Sequence, residues 1–374
     1  MQAPATSALS TRTEAADAAR ELSEQLGDAA LRAIVFFCSH AHDGAALSAA
    51  LRERYPEAQV IGCTTAGEFN QTGGGLGGVS ALAFGSDRVR ACHAALADFS
   101  GGVEPAISAA AGEIGDRLGI DLRAADSARY AALVLVEGLH GREEAANHAL
   151  GMAAPALGFV GGSAADDLSF ERTRVFVNGR ESEDGAALLV MEMAVPFTVL
   201  KTCHLEPTEH HFTVTRADAA ARTVYEVGGR PVLAAYAEAA GTELDALDFG
   251  VFMQNPWGMM LDGEPWIRSP KHALPDGGLV FACAVEEGMQ MHLMRRTDLV
   301  AETRRAMNEA IDVLGGTAGG GLIFNCVYRR LEMDALSLHE PFLRSFDFPM
   351  AGFHTYGESY LGHMNQTCTG LVFA

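Results

Sequence analysis

Three stretches of this sequence repeat one layout, and that repetition limits the fold more than any single motif does. Each stretch carries an amphipathic helix, a short apolar run that reads as a buried strand, a variable connection, and a second strand ending in a Gly-rich turn. A hairpin with a further apolar strand follows. The first copy reads IVFFCS, VIGCTTAGEF, GGVSALAFG; the second ALVLVEG, ALGFVGGSAADD, DGAALLVME; the third GLIFNCV, MAGFHTYGES, NQTCTGLVFA. The turns of the first and third copies share Gly-x-x-Thr-x-Gly-Glu, at Gly62, Thr65, Gly67, Glu68 and at Gly352, Thr355, Gly357, Glu358. The middle copy keeps Gly158, Gly161 and an acidic pair, Asp166 and Asp167.

Helical patterns at Ala15–Leu26, Ile107–Leu118 and Leu299–Leu314 precede the runs at 34–37, 133–136 and 322–324. This alternation predicts an α/β fold, with mixed sheets covered by helices and built from helix–strand–helix–strand–hairpin units in two domains. The segment 198–229 separates the halves: VTRADAAARTVYEVGG reads as a hairpin and a helix starts near Pro231. The expected organisation is an N-terminal segment or helix over 1–30, one domain over 31–227 and a second over 228–374.

Composition narrows the function. The 374 residues carry a formal charge of −21, which repels nucleic-acid phosphates and anionic membrane surfaces. The seven cysteines form no CxxC pair, and several lie in apolar runs, as free thiols in a reducing compartment do. No apolar signal segment opens the sequence, and Gly or Pro interrupts the longest uncharged stretch, Ala149–Ala165. A cytoplasmic protein is expected, with neither nucleic acid nor membrane as partner.

The paired turns are the first candidate site. Their glycines allow positive φ, and Thr65, Glu68, Thr355 and Glu358 place hydroxyls and carboxylates beside backbone amides, a setting for a small polar ligand. The plainer alternative is a corner whose Glu caps its own turn. Histidines are the second. His40 and His42 read as a solvated turn, whereas Cys203, His204, His210 and His211 cluster in TCHLEPTEHHF, read as a loop. Imidazole and thiolate both ligate haem iron or zinc. His354 lies inside a proposed ligand turn. No GxSxG elbow, phosphate loop or dinucleotide fingerprint stands in proper context, so an enzyme is not expected. Met289, Met291 and Met294 read as strand core.

These residues resemble the FIST family. VIGCTTAGEF, ALGFVGGSAADD and TRVFVNGRESEDGAALLVM are similar to its N domain; VTRADAAARTVYEVGGRPVLAAY, LVFACAVEEGMQMHLM, LIFNCVYRR and GFHTYGESYLGHMNQT are similar to its C domain. The resemblance implies a sensory module of signal transduction that binds small ligands such as amino acids. Its motif maps onto Gly352, Thr355, Tyr356, Gly357, Glu358, Asn365, Gln366 and Thr367. Similarity to stand-alone bacterial members further implies haem binding and nitric-oxide sensing, with control of a separate histidine kinase or cyclic-di-GMP enzyme. His204 is then the expected axial ligand and His354 the alternative, with no metal besides haem iron. The second expectation is a haem-free sensor of a small polar metabolite, held by Thr65, Glu68, Thr355, Tyr356, Glu358 and Asn365.

Overall fold

The structure, a computed structural model, describes residues 5–374. Residues 1–4 of the expected N-terminal segment lie outside the described residues. The fold is mixed α/β: several sheets, and nine α-helices among the described residues. Backbone packing divides the described residues into two compact units, one of residues 5–201, 304–363 and 368–374, the other of 202–303 and 364–367.

In the first unit each sequence repeat becomes the same three-stranded motif. The strand Leu31–Ser39 lies between a parallel partner, Gln59–Thr65, and an antiparallel one, Val79–Gly85. Tyr130–Val136 sits in the same way between Phe159–Ser163 and Gly185–Met193. Gly320–Cys326 sits between Met350–Thr355 and Thr367–Phe373. The N-terminal strand Thr6–Ser10 extends the first motif by pairing with Val79–Gly85.

The three motifs exchange strands in a closed cycle. After its Gly-rich turn, the first copy sends Glu68–Asn70 to the edge of Met350–Thr355 in the third. The third sends Glu358–Tyr360 to Phe159–Ser163 in the second. The second sends Val175–Val177 to Gln59–Thr65 in the first. Every Gly-rich turn of the three copies is therefore a crossing point from one sheet to the next.

Strand periodicity sets the layers. In the strand Leu31–Ser39, Ala33, Val35 and Phe37 enter a central core shared with Leu133 and Leu135 of the second copy and Leu322 and Phe324 of the third. Ile34, Phe36 and Cys38 point the other way, onto the helices Ala15–Leu26 and Gly44–Arg54. Helices Val103–Leu118 and Glu143–Ala153 cover the outer face of the second copy through Ile107, Ile114, Ala146 and Leu150. Phe37 and Phe353 pack with ring centroids 4.6 Å apart at the centre. Each such buried ring contributes about 1.5–3 kcal/mol.

One glycine recurs because two parallel strands approach closely. A Cβ at Gly62, Gly161 or Gly352 would lie 2.5, 1.7 or 2.7 Å from the carbonyl oxygen of Phe36, Val134 or Ile323, the residue paired with it.

The second unit is built on antiparallel strands. Leu205–Asp218 pairs with Gln290–Arg296 on one side and with Thr223–Val227 on the other, and the helix Val232–Ala240 follows. Trp257, Tyr236, Phe252 and Phe281 fill its core. The sequence TCHLEPTEHHF is strand here, not a solvated loop, because Leu205–Pro207 and His211–Thr213 both find partners on Gln290–Arg296. Met291 and Met294 are buried core residues of that partner strand, as expected, whereas Met289 lies just before the strand and is half-buried.

Candidate functional site

The site is built at the first crossing. Gln59–Thr65 ends at Thr65, and the chain turns through Gly67 at φ 106°, a conformation that favours glycine. A Cβ at Gly67 would also press on the His354 ring, 3.1 Å from Cδ2. The turn locks onto the third copy: Ala66 N–H donates to His354 O and His354 N–H donates to Gly67 O, each at 2.9 Å.

Glu68 is buried in this corner. One carboxyl oxygen meets the Thr65 hydroxyl and the other accepts from Gly78 N–H at 3.0 Å. Burial raises its pKa to about 8, against the lowering pull of the Thr65 and Gly78 hydrogen bonds. The matching corner at Thr355 holds the same Thr–Glu hydrogen bond, and Glu358 is fully buried. Each glutamate is tied to the threonine of its own turn. The first borders a cleft of about 300 Å³ lined by Glu68, Phe69, Leu76, Arg330, Asp334, His339 and His354, among others; Glu358 does not line that cleft.

His354 forms one wall. Arg329 Nε donates to Asn325 Oδ1 at 2.8 Å, which turns the Asn325 amide nitrogen toward His354 Nδ1, 3.0 Å away. Nδ1 therefore accepts, and the ring proton sits on Nε2. Burial holds the ring well below the usual histidine range, reinforced by the charges of Arg330, His339 and Arg329. Phe69 packs on this imidazole at 4.9 Å.

The opposite wall comes from the helix Val327–Leu336. Arg330 and Asp334, one turn apart, share a face. Arg330 Nη1 donates to Ala66 O at 2.7 Å. Its carboxylate neighbours stand further off, Asp334 at 3.5 Å and Asp167 at 3.6 Å. Asp334 is engaged by His339 Nε2 at 2.6 Å.

The middle crossing carries an aspartate where the others carry glutamate. Asp166 accepts from the backbone N–H of Phe170, Glu171 and Arg172 and from the Tyr356 hydroxyl. Burial alone would raise its pKa, but the Tyr356 hydroxyl and the three amides outweigh it and the net shift is downward. Burial and the Asp166 carboxylate push the Tyr356 phenol upward. Asp167, Leu168 and Phe170 all take positive φ in the loop that follows.

Of the sequence candidates, Glu68 and His354 come together in the cleft. Thr65, Thr355, Tyr356 and Glu358 lie in the buried turns. Asn365 belongs to the second unit, where its Oδ1 accepts from Ser269 N–H and Cys283 Sγ. His204 is buried at the junction of the strands Phe197–Cys203 and Leu205–Asp218, its carbonyl accepting from Thr297. His42, expected in a solvated turn, is buried, with Nε2 3.2 Å from Gly77 O. Arg330, Asp334 and His339 escaped the sequence reading. Their signal was the Arg–Asp pair at i, i+4 directly after the third buried strand.

Comparison with known families agrees with this architecture. The FIST N domain matches residues 32–230 and the FIST C domain matches 232–360. This chain belongs to the FIST family. FIST domains suggest a ligand-sensing role in signal transduction. An uncharacterized protein of Methanocaldococcus jannaschii is 24% identical over 251 residues, which cover 57% of this FIST chain and 48% of that protein. The match thus spans about half the length of that relative. Among the described residues, no helix is long and apolar enough to cross a membrane.

Proposed function

We propose that this FIST chain is a binding protein, not an enzyme, whose cleft between His354 and Arg330 takes a small zwitterionic metabolite such as an amino acid. The bias in conformation then passes to a separate signalling enzyme, a histidine kinase or a cyclic-di-GMP enzyme, in the cytoplasm. The observation that carries this reading is Arg330. Its guanidinium makes one hydrogen bond, to a carbonyl, and holds two carboxylates only at 3.5 and 3.6 Å. A ligand carboxylate would offer the bidentate pairing this fork lacks. Neutral His354 would donate Nε2–H to the same group. A ligand ammonium would meet Asp334 and Glu68. Because Glu68 holds its proton to about pH 8, an ammonium would favour its ionised form, and binding would release a proton.

A thermal-shift panel of amino acids tests this. At least one should raise the melting temperature, corresponding to about 2.7 kcal/mol at a hundredfold excess over Kd. Arg330→Lys should abolish the shift. No response across the panel, or a response that survives Arg330→Lys, would overturn the reading.

The alternative is haem with nitric oxide at an open iron position. His204 does not line this cleft. His354 does, but an Nδ1 that accepts from Asn325 leaves the proton on Nε2, which favours donation to a ligand over a bond to iron. A sharp, stoichiometric Soret band that responds to nitric oxide and disappears in His204→Ala would decide for haem.

A further inference from the structure

The second unit holds a pair of histidines that the sensing cleft does not use. In the pairing of Leu205–Asp218 with Gln290–Arg296, Pro207 faces Met294 and His211 faces His292. The first strand thus carries two extra residues and bulges at Thr208–His210. Bulges re-aim side chains and recur beside functional sites. This one turns Glu209, His210 and His211 toward a cleft of about 490 Å³ that Arg230 and Glu238 also line.

His211 and His292 are directly opposed across the strands, so their rings share one face. Their centroids stand 6.2 Å apart at 46°. No hydrogen bond joins them. His211 Nδ1 lies 3.2 Å from Glu209 O, so Nδ1–H donates to that carbonyl and Nε2 keeps its lone pair. That arrangement, Nδ1–H on a backbone carbonyl and Nε2 free, is the one metal-bound imidazoles adopt. His292 Nδ1 is buried without a partner, which leaves Nε2 as the ring's available donor. With metal–nitrogen bonds of about 2.0–2.1 Å, tetrahedral coordination places two ring centroids about 5 Å apart, so rings at 6.2 Å would close by about 1 Å on one ion.

We propose that His211 and His292 form a binding site for a late first-row divalent ion, Zn²⁺, Ni²⁺ or Cu²⁺, which clamps the bulged strand to its neighbour. Two imidazoles select these ions over Mg²⁺ or Ca²⁺, which prefer oxygen. Water completes the coordination. The chain's charge of −21 raises the local concentration of any cation.

The test titrates the full chain, freed of metal, with Zn²⁺ by calorimetry. One equivalent should bind, and His211→Ala and His292→Ala should each weaken it at least about tenfold, since loss of mere outer-shell support already costs 10–100-fold. His93→Ala, on a histidine of the first unit that pairs with Glu113, should leave that equivalent unchanged. Binding that persists unweakened in the double variant would overturn the site. Should a variant fail to fold, the unaltered protein still decides: Zn²⁺ should shield His211 and His292 from acylation by diethyl pyrocarbonate, and equal labelling with and without the ion would overturn it. In the Cu²⁺ form, electron paramagnetic resonance should show two coupled nitrogens.

Discussion

The crossings at Thr65–Glu68 and Thr355–Glu358 carry the same Thr, Gly and Glu, the same Thr–Glu hydrogen bond and the same buried carboxyl. Yet the first borders a cleft and the second glutamate does not line it. The motif itself is therefore a device for turning a strand out of one sheet and into another without leaving buried polar atoms unpaired. The proposed ligand chemistry rests on what the third copy brings to the first crossing: His354 from a paired strand, Arg330 and Asp334 from a helix. A duplicated motif marks the shared structural task, and the residues that differ around it mark the site.

The largest effect should separate the two crossings outright. Arg330→Ala should weaken the ligand about 100-fold, within the 2–5 kcal/mol that truncating a buried charge partner costs. A calorimetric titration checks this, and an unchanged affinity would remove the distinction between the corners. Next in size are the recurring glycines. Gly161→Ala should cost about 3 kcal/mol or more, because its Cβ would lie 1.7 Å from Val134 O, with Gly62→Ala and Gly352→Ala costing less, at 2.5 and 2.7 Å. Urea denaturation ranks the three, and an inverted order would contradict the closeness of the strands.

A pH series probes the first corner alone. The Glu68 carboxyl titrates near 4.5 unfolded and near 8 folded. Its contribution is thus full below about pH 4.5 and is lost as pH rises through 8. Glu68→Gln should flatten the stability profile in that window by up to one proton, about 1.4 kcal/mol per pH unit. The same variant should remove any rise in ligand affinity between pH 6 and 8. The smallest effect tests the likeness of the corners. Thr65→Val and Thr355→Val should each cost about 1–2 kcal/mol by depriving a buried carboxyl of a hydroxyl. Only the first should also alter ligand affinity.

Much of this architecture was legible. The three buried strands, the helix Ala15–Leu26 and the hairpin ahead of the helix Val232–Ala240 follow from periodicity and turn residues. The exchange of strands was not, since apolar alternation tells a strand which face to bury and nothing about which sheet to join. Glu68 and His354 were visible because they sit in a duplicated turn. Arg330, Asp334 and His339 were hidden because a charged pair at helical spacing reads equally as an ordinary solvated face. His42 misled because an HxH after a strand looks exposed, whereas the Gly73–Gly78 hairpin folds back and Gly77 O meets its ring.

The cycle of exchanged strands has a consequence for synthesis. When the ribosome has delivered only the first copy, Glu68–Asn70 has no sheet to join, because its partner Met350–Thr355 has not yet been made. The first copy in turn lacks its edge until Val175–Val177 emerges. Pairings between segments so distant in sequence close slowly and leave unpaired edges exposed meanwhile. The first unit is thus assembled late and all at once. A fragment ending at residue 201 should emerge as a chaperone substrate with open edges, not as a working half of the protein.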